Sequence, residues 1–353
     1  MFFQHRLVEI PDTELKLDEG EILVKIEQFA YSANNITYAV AGDRIGYWQF
    51  FPAVGEEADG WGVIPVWGLA EVTKSSCEGV PVGDRLFGYF PPATYLKMTP
   101  GKISDQQFVD ESAHRAKLPM GYNFYRRVLN EKEYKPELDQ ERMLLVPMHM
   151  TGFCLWDALK SEEWYGAKRI IITSASSKTS TGLAYALQAD EDAPEFIGMT
   201  SQGNLDMVKG LQLYHESISY DSISALDPSI PTAIVDMAGN AQVLAALHTH
   251  LGDHMCFTLN VGLTHWANAR PQKGIIKERS QFFFAPGQIQ SIIKRWGREQ
   301  FQQRSSAFMQ AAAAKTKEWL SFRVIKGLEG MNEIHPAMCE GKVSPQEGLI
   351  VVL

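Results

Sequence analysis

Cysteine is scarce in this chain of 353 residues, and the cysteines lie too far apart to form the CxxC pair of a zinc or redox site. They are Cys77, Cys154, Cys256 and Cys339. We therefore expect reduced, buried thiols. Long apolar runs are also missing, since no stretch approaches the roughly 20 residues of a membrane span and the first ten residues carry charges where a signal peptide has an apolar core. These absences favour a cytoplasmic protein with no membrane partner.

Basic residues are not in excess, because 33 Lys and Arg stand against 42 Asp and Glu and give a net charge of −9. Without a basic run to neutralise a phosphate backbone, nucleic acid is not expected as a partner. The hydrophobic content of 45% and the charged content of 21% are typical of a globular protein with well-buried cores. The partner class that remains is a small-molecule substrate, and a homodimer stays open.

The chain contains two kinds of sequence pattern. Residues 21–29 have the period of two expected for a strand, and glycine and proline are dense between residues 55 and 88, which predicts a tightly turned β-rich domain. From Met143 onward, helix-like stretches alternate with apolar runs, which predicts βαβ units and a doubly wound parallel sheet. The apolar runs cover residues 169–173, 196–199, 233–235 and 256–260.

This pattern predicts an α/β protein with two domains. A helix is expected around residues 305–320, and a final strand at residues 349–353 is expected to rejoin the N-terminal domain. The expected domains are a β-rich one formed by residues 1–144 with 290–353, and a nucleotide-binding one formed by residues 145–289. Residues 91–142 are rich in charge, as in an insertion or a helical crossover.

The most informative segment covers residues 166–187, where a buried strand runs into a turn of small residues and then into a helix with an apolar face. This arrangement directs free backbone N–H groups at a phosphate, so a dinucleotide fits here. The glycines of a GxGxxG motif are largely replaced by Ser, Ala and Lys, and only Gly182 remains near the close-packing position. The residues expected to bind the cofactor are Ser174, Ser176, Ser177, Lys178 and Thr179.

Two alternatives stay open for this turn. One is an ordinary strand, turn and helix without a ligand. The other is the phosphate loop of a nucleoside triphosphatase, because Ser177, Lys178 and Thr179 are similar to the end of GxxxxGK[ST]. The second is disfavoured, since the two glycines of that motif would fall at Ile172 and Ser177.

The turn after the next strand bears on the choice of cofactor. A site that prefers NADH usually places an acid here, which binds the ribose 2′-hydroxyl and repels a 2′-phosphate. This turn has no acid, and it offers Thr200, Ser201 and Asn204 as hydrogen-bond donors. With the charge of Lys178 added, the sequence favours NADPH. The alternative is that these are ordinary turn residues.

Several segments resemble the medium-chain dehydrogenase/reductase superfamily. Residues 51–60 (FPAVGEEADG) are similar to its "fP…GxexxG" segment, and residues 82–88 (VGDRLFG) to its "xGDrVxG" signature. Residues 234–240 (IVDMAGN) and 259–262 (LNVG) look like the strand ends beside the nicotinamide. The resemblance covers nearly the whole chain except residues 91–142 and about 269–320.

Within that superfamily, the chain is similar to the zinc-independent quinone oxidoreductase and enoyl reductase branch, and to an uncharacterised group called DUF2855. The resemblance implies a GroES-like β-rich catalytic domain and a Rossmann-type nucleotide domain. It also implies that Ala238, Gly239 and Val261 lie near the nicotinamide.

The zinc ligands of the superfamily's alcohol dehydrogenases are missing. The family's Gly-His-Glu becomes Gly55-Glu56-Glu57, and the first-loop cysteine is replaced around Asn34. A tetrahedral zinc site needs three or four suitable ligands, so we expect no metal. The chemistry that remains is hydride delivery to an already polarised quinone, enone or enoyl thioester. One interpretation of the spacing His248-x-His250-x3-His254 is that these histidines bind a metal. The other is that they are ordinary exposed histidines, and we prefer it.

The resemblance places residues 32–42 in a loop that enters the active site. Tyr38 and Tyr47 are the expected proton donors, and Asn34 is expected to orient the substrate carbonyl. The alternative is that both tyrosines are packing aromatics. A second polar-aromatic group, expected to form a solvated helix face or to line the substrate cleft, consists of Tyr122, Asn123, Tyr125 and Arg126. A non-catalytic relative that keeps the fold as a binding or scaffold protein also stays open.

Overall fold

The computed structural model describes residues 4–10, 16–55, 58–132, 134–262 and 273–353. The chain divides into two compact units, one formed by Met1–Leu144 with Leu320–Leu353 and the other by Leu145–Trp319. The chain therefore returns to the first unit at Leu320, and not near residue 290 as the sequence suggested.

The first unit is built around one large, mainly antiparallel sheet. In the described residues its strands are β1 Ile22–Tyr31, β2 Val66–Ser75, β3 Arg85–Phe90, β4 Tyr95–Met98, β5 Pro100–Gly101, β6 Gln107–Asp110, β7 Phe124–Arg127, β14 Ser321–Lys326 and β15 Glu347–Val352. Their order is β14-β15-β1-β2-β3-β7-β6-β5, with β4 also paired to β1. The predicted pairing of the final strand is confirmed, because β15 runs antiparallel to β1 with Tyr31 opposite Leu349.

The second unit contains a parallel sheet. In the described residues its strands are β8 Arg169–Ile172, β9 Glu195–Thr200, β10 Glu216–Ser219, β11 Thr232–Asp236, β12 Met255–Asn260 and β13 Ser280–Phe282. Their order is β10-β9-β8-β11-β12-β13, and every pair is parallel. Counted from the first strand of the sheet, this is the order 3-2-1-4-5-6 of a doubly wound dinucleotide-binding sheet. Its order reverses between β8 and β11, where such sheets bind ligands.

The helices of the described residues lie in both units. They are α1 Ala33–Val40, α2 Gly42–Ile45, α3 Asp139–Ser161, α4 Lys178–Gln188, α5 Leu205–Gly210, α6 Ala241–Leu251, α7 Ala285–Trp296, α8 Arg298–Thr316 and α9 Gly327–Cys339. The helix predicted around residues 305–320 is the C-terminal part of α8. Within these described helices, none combines the length and the apolar character needed to span a membrane.

The parallel sheet is covered on both faces, as predicted for apolar strands that alternate with helices. In β8, Ile170 and Ile172 join a core with Leu183 of α4, whereas Ile171 joins a second core with Leu247 of α6. Each of these side chains is at most 1% exposed. A run of apolar residues without alternation is therefore what a strand buried on both faces requires.

The later domain boundary has a packing cause. Phe153 of α3 contacts the aromatic rings of Trp296 at the end of α7 and of Phe301 and Phe308 in α8. Both helices therefore complete the core of the second unit.

Residues 32–42, predicted as a loop, form α1 and the start of α2 instead. The backbone N–H of Ser32 donates to the side-chain oxygen of Asn35 at 2.8 Å, and the N–H of Asn35 donates to the carbonyl of Ser32 at 2.9 Å. These bonds satisfy groups that a helix N-terminus otherwise leaves unpaired. The amide of Asn35 also donates to the carbonyl of Pro65 at 2.8 Å, which anchors this helix in the first unit.

Candidate functional site

The turn between β8 and α4 has the shape of a phosphate-binding turn but is made by serine. Ser174 has a φ of +49°, in the left-handed region that favours glycine. Its N–H donates to the hydroxyl of Tyr220 at 2.8 Å, and its carbonyl accepts from the N–H of Ser177 at 2.7 Å. Hydrogen bonds on both sides of Ser174 thus hold a conformation that is costly for a residue with a side chain.

The first turn of α4 carries the predicted cofactor-binding residues. Ser177 is the N-cap, and its hydroxyl accepts from the N–H of Ser180 at 3.1 Å. Lys178 and Thr179 follow as the first two helical residues. A helix N-terminus presents unpaired N–H groups and a positive dipole end, which suit a phosphate.

The end of β9 lies beside this turn. The amide of Asn204 donates to the hydroxyl of Ser176 at 3.4 Å, so these two predicted residues are brought together. Ser201 is exposed. Thr200 is only 1% exposed, so its side chain is buried in this structure. Of the three predicted donors after β9, Ser201 is exposed, Asn204 is half-buried and Thr200 is buried.

The ends of β11 and β12 form the third part of the site. Asp236 is buried, and one of its carboxylate oxygens accepts from the hydroxyl of Thr173 at 2.7 Å and from the N–H groups of Ala238 at 3.0 Å and Gly239 at 3.2 Å. The N–H of Val261 donates to the carbonyl of Asp236 at 2.9 Å. The structure thus gathers Ala238 and Gly239 around the buried carboxylate of Asp236, and Val261 at its backbone carbonyl, at the switch point of the sheet.

Glycines set the close approaches in the second unit. A Cβ on Gly262 would collide with the carbonyl of Met237, so only glycine fits between the ends of β11 and β12. A Cβ on Gly182 would lie 3.0 Å from the Cα of His149, and a Cβ on Gly152 would lie 2.5 Å from the N of Leu183. Gly182 therefore allows α3 and α4 to cross closely, which is the role of a close-packing glycine.

His149 is a residue that sequence reasoning missed. It is fully buried in α3, and neither ring nitrogen has a hydrogen-bond partner among the described residues. Burial, with a smaller contribution from the charge of Lys178, lowers its pKa to about 3. Its position between Met148 and Met150 is the only signal in the sequence, since a polar residue interrupts an apolar stretch.

The first unit brings the three predicted catalytic residues together. The amide of Asn34 donates to the hydroxyl oxygen of Tyr38 at 2.7 Å, and the indole N–H of Trp67 donates to the same oxygen at 3.0 Å. The ring of Tyr47 lies 4.7 Å from that of Tyr38, and its hydroxyl is 2.8 Å from the hydroxyl of Tyr122. Because both bonds to Tyr38 are donated to its oxygen, the phenol proton is used in neither of them.

Burial controls the protonation of these phenols. Tyr38 and Tyr47 are each 5% exposed. Burial raises the pKa of Tyr38, with the nearby Tyr47 contributing, and it raises the pKa of Tyr47 to about 12. Desolvation disfavours the phenolate, so both side chains stay neutral at ordinary pH. They can donate a hydrogen bond or a proton, but they cannot act as bases.

The second polar-aromatic group is not a solvated helix face, and that part of the sequence interpretation was wrong. Tyr125 and Arg126 lie in β7, and Asn123 and Tyr125 are buried. Arg126 pairs with Glu131 at 2.7 Å, on the more exposed side of the strand.

A buried arginine, also missed from the sequence, organises this group. Arg115 is 0% exposed and pairs with Asp110 at 2.9 Å. It also donates to the side-chain oxygen of Asn123 at 3.0 Å, to the hydroxyl of Tyr125 at 2.8 Å and to the carbonyl of Tyr122 at 2.9 Å. Arg115 thereby fixes the segment that presents the hydroxyl of Tyr122 to Tyr47. Beside it, the buried hydroxyl of Tyr89 has no partner among the described residues.

The histidines of the 248–254 segment are held separately. The Nε2 of His248 is 2.9 Å from the hydroxyl of Thr258, and its Nδ1 accepts from the N–H of Ile276 at 2.9 Å. The Nε2 of His250 is 2.8 Å from the carbonyl of Leu226. Within the described ranges, no three His, Cys, Asp or Glu side chains are arranged to hold a metal ion. Glu56 and Glu57, which stand where the zinc enzymes have His-Glu, lie outside those ranges.

No disulfide joins the four cysteines, all of which lie in the described residues. The expectation of buried thiols holds for Cys154 but is wrong for Cys77, Cys256 and Cys339, which are half-buried. They lie on or beside strand and helix ends, where a small side chain need not be enclosed.

Several solved structures share this fold. CurA from Vibrio vulnificus in complex with NADPH is 14% identical with a TM-score of 0.61, over 98% of this chain and 93% of that one. Mycobacterial Rv1454c complexed with NADPH is 14% identical with a TM-score of 0.56, over 99% and 95%. JamJ enoyl reductase in its apo form is 13% identical with a TM-score of 0.53, over 95% and 91%. This likeness confirms the predicted fold class, a GroES-like β-rich domain with a Rossmann-type domain.

No curated protein sequence matches the chain significantly. A family model does: the one described as "Protein of unknown function (DUF2855)" matches residues 29–344. Since that match covers far more than half of the chain, the protein belongs to the DUF2855 family, as the sequence resemblance implied.

Proposed function

We propose that this protein is an NADPH-dependent, zinc-independent oxidoreductase that delivers hydride to a quinone, an enone or an enoyl thioester. The observation that carries the proposal is the turn at the switch point of the parallel sheet. It combines a left-handed Ser174, a serine-capped α4 and no acid in the turn of residues 200–204 after β9. Two proteins of the same fold, CurA and Rv1454c, were solved with NADPH.

The residues of the second unit fit this cofactor. Ser174, Ser176, Ser177 and Thr179 offer hydroxyl and backbone donors to a diphosphate at the start of α4. Lys178 and Ser201 suit a 2′-phosphate, which an acid would repel. Ala238, Gly239 and Val261, with the close approach at Gly262, are the residues that we assign to the nicotinamide; Gly239 and Val261 are half-buried and Ala238 is buried.

The residues of the first unit fit proton donation. When bound, the cofactor supplies the hydride, so the protein must provide a proton to the reduced acceptor. Tyr38 is the proposed donor, because Asn34 and Trp67 both donate to its oxygen and stabilise negative charge that develops there. Tyr47, whose hydroxyl is bonded to Tyr122, is proposed to shape the substrate surface.

A second candidate function is a non-catalytic relative that binds a nucleotide or serves as a scaffold. The observation that favours it is the depth at which Tyr38 and Tyr47 are buried, since a side chain that is 5% exposed offers little surface to a substrate. Both functions use the turn between β8 and α4 to bind the cofactor. They differ in whether the protein then reduces a substrate.

The test is an assay in which the purified protein oxidises NADPH with a panel of quinones, enones and enoyl thioesters as acceptors. The loss of NADPH is measured by its absorbance. The proposal expects saturable, enzyme-dependent oxidation with at least one class. Binding of NADPH without turnover of any panel member would favour the non-catalytic function. Stoichiometric zinc in protein purified without added metal would show that the zinc-independent part is wrong.

A further inference from the structure

Among the described residues of the second unit, two histidines are buried, and they differ in their hydrogen bonds. His248 is 1% exposed and uses both ring nitrogens, one with the hydroxyl of Thr258 and one with the N–H of Ile276. His149 is 0% exposed and uses neither with any described residue. His248 is thus an ordinary structural histidine. Within the described part of the chain, His149 leaves a donor and an acceptor unpaired in the protein interior.

Such a residue is costly to the folded state. Each buried polar atom without a partner keeps its desolvation penalty, and native proteins contain few of them. An apolar side chain of similar volume at this position would avoid the penalty. A histidine here is therefore expected to gain a partner when the protein binds a ligand.

The position of the ring indicates which ligand. His149 lies against the face of α4 that carries Lys178, Gly182 and Tyr185, one turn apart along the helix. A Cβ on Gly182 would be 2.9 Å from the ring Cδ2, and the Tyr185 ring stands edge-on at 5.9 Å. Lys178 lies one turn before Gly182 on the same face of α4, and its charge contributes to the lowered pKa of the imidazole. Lys178 is also the first residue of α4, directly after the turn between β8 and α4.

We propose that His149 is a cofactor-binding residue whose ring N–H donates to a diphosphate oxygen at the start of α4. This inference rests on the proposed function, because it requires that a dinucleotide occupy the turn. Phosphate oxygens only accept hydrogen bonds, and a neutral imidazole has one N–H to give. Gly182 allows the close approach of α3 that brings the ring to this helix.

The experiment measures NADPH and NADH binding to the full-length protein by fluorescence titration, together with the thermal unfolding midpoint without cofactor. The variants are His149→Leu, which removes the donor, and His149→Gln, which keeps an N–H at similar reach. The matched control is His248→Leu, at a histidine that is buried in the same unit and fully paired.

A donor to a charged oxygen is worth about ten- to a hundredfold in affinity. His149→Leu should therefore weaken NADPH and NADH equally by that factor, since both carry the diphosphate, and His149→Gln should recover most of the loss. The unfolding midpoint of His149→Leu should equal or exceed that of the wild type. His248→Leu should lower the midpoint, because it leaves Thr258 and Ile276 unpaired, and the folded fraction should keep its affinity.

Three outcomes would overturn the inference. Unchanged affinity in His149→Leu would exclude a contact with the cofactor. Equal losses in the Leu and Gln variants would show that the ring acts by packing. A loss of affinity for NADPH alone would show that His149 contacts the 2′-phosphate and not the diphosphate. If the wild type binds neither cofactor, the proposed function itself fails, and that result is distinct from all three.

Discussion

The two candidate sites differ in what holds them in place. In the second unit, the cofactor turn is shaped mainly by the backbone, through the left-handed Ser174, the capped start of α4 and the close approach at Gly262. In the first unit, the catalytic candidates are held by side chains, through Asn34 and Trp67 on Tyr38. A backbone-defined site tolerates replacement of most side chains. A side-chain-defined site does not.

The largest expected effect is the loss of the proton donor. Tyr38→Phe should lower kcat with the best panel acceptor by about 10² to 10⁴, because it removes the proton while keeping the ring. NADPH affinity should not change. The matched control is Tyr95→Phe, at an exposed tyrosine of β4 in the same unit, which should keep full activity.

The pH dependence sharpens this prediction. Burial raises the pKa of Tyr38 and Tyr47, so each donor stays protonated until the pH exceeds its raised pKa. The wild-type kcat should therefore show no loss from tyrosine ionisation between about pH 6 and about pH 9. A fall in wild-type kcat with rising pH in that range that is absent in Tyr38→Phe would show that burial does not raise the pKa of Tyr38. Full activity of Tyr38→Phe would show that Tyr38 is not the proton donor.

The second effect concerns the support of the aromatic cluster. Arg115→Met leaves the buried carboxylate of Asp110 without its cation, which typically costs about 3 to 5 kcal/mol. Urea unfolding should show this loss. Lys102→Met, which breaks an exposed pair with Glu111, should leave the midpoint unchanged. Equal midpoints for both variants would show that the first unit does not depend on its buried side-chain network.

The third effect tests cofactor selectivity. Removing a charge-assisted phosphate contact costs about 1.5 to 3 kcal/mol, so Lys178→Ala should weaken NADPH binding by roughly one to two decades and NADH binding much less. Lys209→Ala, at an exposed lysine of α5, serves as the control. An equal loss for both cofactors would place Lys178 at the diphosphate and remove the basis for its assignment to the 2′-phosphate.

The smallest effect tests whether the second site is defined by the backbone. Gly262→Ala introduces a Cβ that collides with the carbonyl of Met237, and such overpacking typically costs about 1 to 3 kcal/mol. It should lower both the thermal midpoint and the cofactor affinity. Gly203→Ala meets nothing within 4 Å and should do neither. If Gly262→Ala bound NADPH normally, the ends of β11 and β12 would not contribute to the site.

Much of the fold could be predicted from the sequence, because burial on both faces leaves a direct signal. The apolar runs at β8, β9, β11 and β12 were identified for that reason. The strands β10 and β13 were missed, since ESIS and SQF are short and polar and depend on neighbouring strands for their conformation. The return of the chain at Leu320 was also missed, because the packing of α7 and α8 on α3 is a tertiary effect.

The candidate sites were predictable to different degrees. The serine turn could be recognised because a strand, a turn and a helix follow one another in sequence. The sequence also suggested Tyr38 and Asn34, whose spacing of four residues suits the helix that they form. Arg115 and His149 could not be predicted, since their roles depend on partners, or on missing partners, that only the folded chain reveals.

The most direct test of the central claim is a fluorescence titration of the wild-type protein with NADPH and with NADH. We expect saturable binding of both cofactors at the turn between β8 and α4, with NADPH bound more tightly. The absence of NADPH binding, or tighter binding of NADH, would contradict this expectation.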